Sequence, residues 1–185
     1  MSVAVRYAID QQASKFTARA YAAGMLSAFA HSPEFAIRKF SGEAEFDPSG
    51  AGSLTLTIKA DSLDLMDDVS KRDRWDINRI MNEELLETAR YPEITYSCPS
   101  EKVSAKSGDG SRFEVTLQGE LTLHGVTRSQ PVIAHVVVGD GSLRAYGDFI
   151  IKQPTYGLKP VTAAGSGIKV KEDVKVAFDI VARKQ

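Results

Sequence analysis

The stretch Phe113-Glu114-Val115-Thr116-Leu117-Gln118-Gly119-Glu120-Leu121-Thr122-Leu123 decides the fold. Its odd positions carry apolar side chains or glycine, and its even positions carry polar ones. Successive side chains on a strand point to opposite faces, so this period of two gives one dry face and one wet face. That is the behaviour of an antiparallel sheet with a core on one side.

The same rhythm recurs on either side. Phe16, Ala18, Ala20 and Ala22 alternate with Lys15, Thr17, Arg19 and Tyr21, and Leu54, Leu56, Ile58 and Ala60 alternate with Thr55, Thr57 and Lys59. Val174, Val176, Phe178, Ile180 and Ala182 form a further row near the end. Weaker strands lie at Phe35–Phe46, Ile94–Cys98, Pro131–Val138 and Leu143–Ile151. The first of these changes phase, which predicts a β-bulge or bend near Arg38-Lys39. Asp47-Pro48-Ser49-Gly50, Gly108-Asp109-Gly110 and Asp140-Gly141 supply turns, so about eight strands follow one another.

Two segments depart from the rhythm. Gly24–His31 reads as a short helical turn. Asp67–Ala89 reads as one amphipathic helix, with Ile77, Ile80, Met81, Leu85 and Ala89 on its apolar face. No linker or repeat divides the chain, so residues 1–185 form one domain. The expected fold is all-β: an eight-stranded antiparallel up-and-down barrel, because closure removes the sheet edges. Small residues in the dry rows, among them Ala18, Gly42, Ala44, Gly119, Ala145 and Gly147, leave volume inside. Either a slender ligand fills it, or the helix and loops do.

Composition narrows the function. A formal net charge of -1, with 25% charged and 43% hydrophobic residues, leaves no basic footprint for nucleic acid. Cys98 is alone and reads as core, so no intrachain disulfide forms. No apolar run is long enough to span a membrane. Met1–Tyr7 lacks a signal pattern, so the expected compartment is the cytoplasm, or the periplasm if the native start has been trimmed.

Chemistry-bearing residues are scarce. His135 lies on a wet strand phase, His124 precedes Gly125 at a turn, and His31 sits in the irregular segment beside Phe29 and Ser32-Pro33. No three of them share metal-ligand spacing. Asp61, Asp64, Asp67 and Asp68 lack the calcium-loop pattern and lead into a helix N-terminus. There is no nucleophile elbow, and Gly165-Ser166-Gly167 has no P-loop lysine after it. The reading assigns no catalytic residue, no metal and no cofactor.

Several motifs carry a resemblance. They are Phe29-Ala30-His31 with Phe40-Ser41-Gly42-Glu43, Ala60-Asp61-Ser62-Leu63-Asp64, Arg72-Asp73-Arg74, and Glu87-Thr88-Ala89-Arg90-Tyr91-Pro92-Glu93-Ile94. Gly119–Thr127 and Asp148-Phe149-Ile150-Ile151 with Tyr156-Gly157 complete the set. Over residues 7–183 the chain resembles the YceI-like family, described as lipid- or polyisoprenoid-binding proteins with a lipocalin-like barrel. The resemblance implies a long apolar tunnel holding an isoprenoid chain, sometimes with a quinone-like head group.

On that reading the tunnel is lined by Phe16, Ala18, Phe35, Leu56 and Ile58, and by Phe113, Val115, Leu117, Phe149 and Phe178. Met81 and Leu85 of the helix, Ile77 beside them and the loop bearing Tyr156 close or gate it. Phe29 and His31 face the ligand, and His31, Arg74 or Tyr156 orients its head group. The expected partner is an apolar small molecule, with neither nucleic acid nor a transmembrane segment involved; a homodimer is allowed. The expected activity is non-enzymatic binding, storage or transport of a polyisoprenoid or isoprenoid quinone. Two alternatives stay open: an enzyme acting on such a ligand through His31, and a packed barrel serving stress response or assembly.

Overall fold

A computed structural model describes residues 3–23, 32–159 and 169–185. Its strands are β1 (Val5–Ala23), β2 (Glu34–Ile37), β3 (Phe40–Phe46), β4 (Gly52–Lys59), β5 (Leu63–Leu65) and β6 (Glu93–Cys98). They continue with β7 (Val103–Ser107), β8 (Arg112–Leu123), β9 (Val126–Gly139), β10 (Ser142–Lys152) and β11 (Lys169–Lys184); helix α1 (Lys71–Arg79) lies between β5 and β6. Eight strands close a ring in chain order, β1-β3-β4-β6-β8-β9-β10-β11 and back to β1, every neighbour antiparallel. β2 and β5 extend the sheet from the far half of β1, and β7 pairs with β8. The fold is an up-and-down barrel, as the alternation implied.

Strand β8 shows why. Phe113, Val115, Leu117, Gly119, Leu121 and Leu123 are all buried, while the polar residues between them are exposed or half-exposed. The outer face is charged, with ion pairs such as Arg6–Glu45 at 3.1 Å and Lys152–Asp173 at 3.2 Å bridging neighbouring strands.

The first strand is longer than its alternation suggested. It begins at Val5 and crosses the polar run Asp10–Ser14 as a bulge, where Asp10 pairs with Val181 but Lys15 pairs with Asp179. The Ser14 hydroxyl donates to the Asp10 carbonyl at 2.6 Å and accepts from Val181 N at 2.9 Å, so the bulged backbone stays hydrogen-bonded. The Gln11 amide oxygen accepts from Phe40 N at 3.0 Å. At Arg38-Lys39 the expected bend is a full break between β2 and β3. There Arg38 N donates to the Ser62 carbonyl and Lys39 N to the Ser62 hydroxyl, at 3.0 and 3.1 Å.

The expected single helix over 67–89 is shorter and of two kinds. Ser70 caps α1 by accepting from Asp73 N at 3.1 Å, and Asp67 is used elsewhere, accepting from Glu34 N at 2.8 Å. From Ile80 to Leu85 the coil widens into a π-turn, with Leu86 N donating to the Met81 carbonyl. Glu87, at φ 47°, leaves the helical region and ends it. The short helical turn expected at 24–31 lies outside the described residues.

The two ends of the barrel differ. One carries the turn after Phe46 and the Asp140-Gly141 hairpin; the other carries α1, the π-turn and the His124-Gly125 turn. Between them, Gly119 makes room for a buried tyrosine. A Cβ there would lie 2.4 Å from the Tyr96 ring and 2.8 Å from the Ser97 carbonyl. The Tyr96 hydroxyl accepts from Gly119 N at 3.1 Å and donates to the Gln130 carbonyl at 2.9 Å, joining β6, β8 and β9.

Gly119→Ala should therefore destabilise the barrel by about 1–3 kcal/mol through overpacking, read as a lower urea midpoint with an unchanged slope. Tyr96→Phe should cost about 1–3 kcal/mol at neutral pH because Gly119 N–H loses its buried acceptor. Burial raises the Tyr96 phenol above its ordinary value. The folded state thus keeps a proton that the unfolded chain loses above roughly pH 10, and stability falls as pH rises beyond that point. The alkaline arm of a stability–pH profile should flatten in Tyr96→Phe. Part of it should remain, because burial also raises Tyr7 and Tyr156.

Candidate ligand-binding site

The dry rows do not meet in the middle. They enclose a cavity of about 550 Å3 that runs along the barrel and is walled by residues of the ring strands, of β2 and of the helical segment. Such a volume lies within the roughly 300–1,000 Å3 of small-molecule sites.

The structure brings most of the expected residues to this wall. Phe16 and Ala18 come from β1, Phe35 from β2, and Leu56 and Ile58 from β4. Val115 and Leu117 come from β8, and Phe149 and Phe178 from β10 and β11, with the two rings 6.4 Å apart. Ile77, Met81 and Leu85 close the wall at the helix end, each on the inner side of its turn. The small residues Ala18, Ala20, Ala44, Ala134 and Ala145 also line the space, so the volume they free is cavity.

Two expected residues stand off the wall. Phe113 is buried one step beyond Val115 and meets Phe46 edge-on, with ring centroids 5.1 Å apart. Alternation identifies a face but not a depth, and Phe113 lies on the dry face past the end of the space. Tyr156 is also buried, 1% exposed, in the short turn after β10; its hydroxyl lies 3.5 Å from the Gln130 amide oxygen. Leu158, two residues later, takes the place on the wall. Phe29 and His31 lie outside the described residues. Wall residues that the sequence reading did not single out include Phe46, Leu121, Leu123, Val132 and Val136. Their positions in the dry rows were the available signal.

The polar side chains at the wall are largely committed to the protein. The Tyr96 hydroxyl holds two backbone partners, the Gln153 amide donates to the Lys171 carbonyl at 3.1 Å, and Glu45 turns outward to Arg6 at 3.1 Å. A surface with so few free donors or acceptors recognises a ligand by shape and apolar burial.

The titratable candidates lie elsewhere. His124, at φ 54° in the β8–β9 turn, meets the Tyr91 ring at a 58° tilt with centroids 4.5 Å apart and has Nε2 2.6 Å from the Glu87 carboxylate. This contact joins the turn to the chain leaving the π-turn. His135 is exposed against Tyr146. The Arg74 guanidinium donates to the Leu65 and Asp67 carbonyls, holding α1 to β5. Burial pushes the Cys98 thiol up, which keeps it in the unreactive thiol form. Among the described residues no group of three or more His, Cys, Asp or Glu side chains could hold a metal ion. No helix among them is long and apolar enough to cross a membrane.

Comparison with known proteins agrees with this architecture. The solved structure of BcnA from Burkholderia cenocepacia superposes with a TM-score of 0.66 at 23% identity, covering 94% of this chain and 98% of that one. A polyisoprenoid binding domain from Saccharophagus degradans, implicated in plant cell wall breakdown, gives 0.67 at 17% identity, covering 98% and 99%. A Campylobacter jejuni YceI protein gives 0.54 at 19% identity over 80% and 83%. UPF0312 proteins of Shewanella sp. strain W3-18-1 and Shewanella putrefaciens are 28% identical over 102 residues, 55% of this chain and 48% of theirs. The match thus spans about half the length of those curated relatives. Residues 7–182 match the YceI-like domain, and the chain belongs to the YceI-like family.

Proposed function

We propose that the barrel binds, stores or carries one long apolar molecule, a polyisoprenoid chain or an isoprenoid quinone, and performs no chemistry on it. The observation that carries this reading is the cavity itself, about 550 Å3 of space walled by apolar side chains. Empty apolar volume inside a protein is destabilising, by about 24 cal/mol per Å3 in engineered cores. A chain that fills the space recovers those packing contacts and takes its own apolar surface out of water, at about 25 cal/mol per Å2. Both terms favour a hydrocarbon occupant.

The fold shared with the Saccharophagus domain, itself described as polyisoprenoid-binding, supports the ligand class. Among the described residues, which do not include His31, the placement of the histidines supports binding over catalysis. Acid–base or nucleophilic chemistry needs a group of matched pKa within hydrogen-bond reach of the reacting atom. His124 is engaged with Glu87 and His135 is on the outer face, neither of them on the wall.

Purification without detergent, followed by native mass spectrometry and organic extraction, should show a stoichiometric apolar adduct. Leu117→Arg places a charge on the wall and should abolish uptake; Thr116→Arg, one residue along on the other face, should leave it intact. Equal uptake by both variants would sink the proposal.

A further inference from the structure

On four strands of the ring the cavity wall stops short of one end of the barrel, while on β4, β10 and β11 it runs on to Gly52, Leu143 and Ala182. On β8 the wall includes Val115 but not Phe113, on β9 Val136 but not Val138, on β6 Tyr96 but not Cys98, and on β1 Ile9 but not Tyr7. The residues beyond the wall on these strands are packed core: Phe113, Tyr7 and Cys98 are each at most 4% exposed, and Val138 packs against them. The side chain at that limit on β3 is Phe46, 5% exposed and itself part of the wall.

Phe46 is placed to close the lumen as well as to line it. Around the ring, β3 and β8 are separated by β4 and β6, so they stand on nearly opposite walls. The edge-on contact between Phe46 and Phe113, at 5.1 Å and 71°, therefore crosses the interior from one side to the other. The other end of the cavity is bounded by Ile77, Met81 and Leu85 of the helical segment and by Leu158.

We propose that the Phe46–Phe113 pair is the floor that sets how much of an apolar chain the barrel takes in. This rests on the carrier reading above. The ligand enters tail-first with its terminus stopped against Phe46, and its head stays at the helix end. Each added unit of chain is buried until the tail meets the floor, and any further length remains outside and contributes little. Ala44, which lines the cavity two residues before Phe46 on the same strand face, marks the next position towards the helix end. A larger side chain there raises the floor.

The test uses the delipidated full-length chain and a series of all-trans prenols of increasing length, with affinity read by native mass spectrometry or competition. In the wild type, affinity should rise about tenfold or more per isoprene unit and then level off. A phenyl ring and an isoprene unit are of similar size, so Phe46→Ala should move the levelling point out by about one unit. Ala44→Leu should move it in. Thermal melts identify any variant that fails to fold; Phe46→Leu then replaces Phe46→Ala and should give a smaller outward shift. A levelling point at the same length in every folded variant overturns the floor while leaving the carrier reading standing. If the wild type binds no prenol of any length, the carrier reading itself falls, and the floor falls with it.

Discussion

The antiparallel ladder between β1 and β11 is the constraint on which the molecule depends. It pairs Tyr7 with Lys184 at one end and Ala23 with Lys169 at the other, joining the first strand to the last. Without it both strands would present unpaired backbone along their length, a template for association with another chain. The inner rows would also lose their enclosure. Because the ladder tolerates the bulge at Asp10–Ser14, β1 can turn from pairing with β3 to pairing with β2 while remaining bound to β11. One strand therefore pairs with β3 in its first half and with β2 in its second, while Phe16 and Ala18 of the second half still line the cavity.

Closure of eight strands gives an interior just wide enough to be filled by side chains. This chain leaves it partly unfilled by placing alanine or glycine where larger residues would meet. Some of those positions cannot grow. Gly147 would bring a Cβ within 2.7 Å of the Ile133 carbonyl, and Gly42 within 2.2 Å of the Thr55 carbonyl. Ala18, Ala44, Ala134 and Ala145 face open volume instead. The first group reflects close approach of neighbouring strands and the second maintains the cavity, although both appear in the sequence as small residues in a dry row.

That distinction explains how much was legible beforehand. The faces of β4, β8 and β11 were readable because period-two alternation continues for most of each strand. The first half of β1 was hidden by Asp10-Gln11-Gln12-Ala13-Ser14, whose polar character belongs to a bulge rather than to a loop. The short strands β5 and β7 offered too few residues for a period to emerge. The split of 67–89 into an α-helix and a π-turn depends on which carbonyl Leu86 N reaches, which hydrophobic spacing does not specify. Within the site, alternation placed Phe113 and Leu117 on the same face. It could not place Leu117 on the cavity wall and Phe113 beyond it, because depth follows from the stagger of strands around the ring and from a partner, Phe46, that is remote in sequence.

The commitment of the wall's polar groups has a consequence for selectivity. A pocket that hydrogen-bonds its ligand rejects analogues by leaving its own buried groups unpaired, whereas an apolar pocket distinguishes one methylene by only about 1–3 kcal/mol. Here the Tyr96 hydroxyl and the Gln153 amide already have backbone partners, so a ligand lacking a particular functional group leaves neither of them orphaned. Discrimination in the interior then falls to dimensions: a chain slender enough to lie between Phe16, Leu56 and Phe178, and a length matched to the space. On the proposed carrier reading, chemically different molecules with the same apolar tail would compete on nearly equal terms inside the barrel, and any preference for a head group would have to arise where the chain emerges.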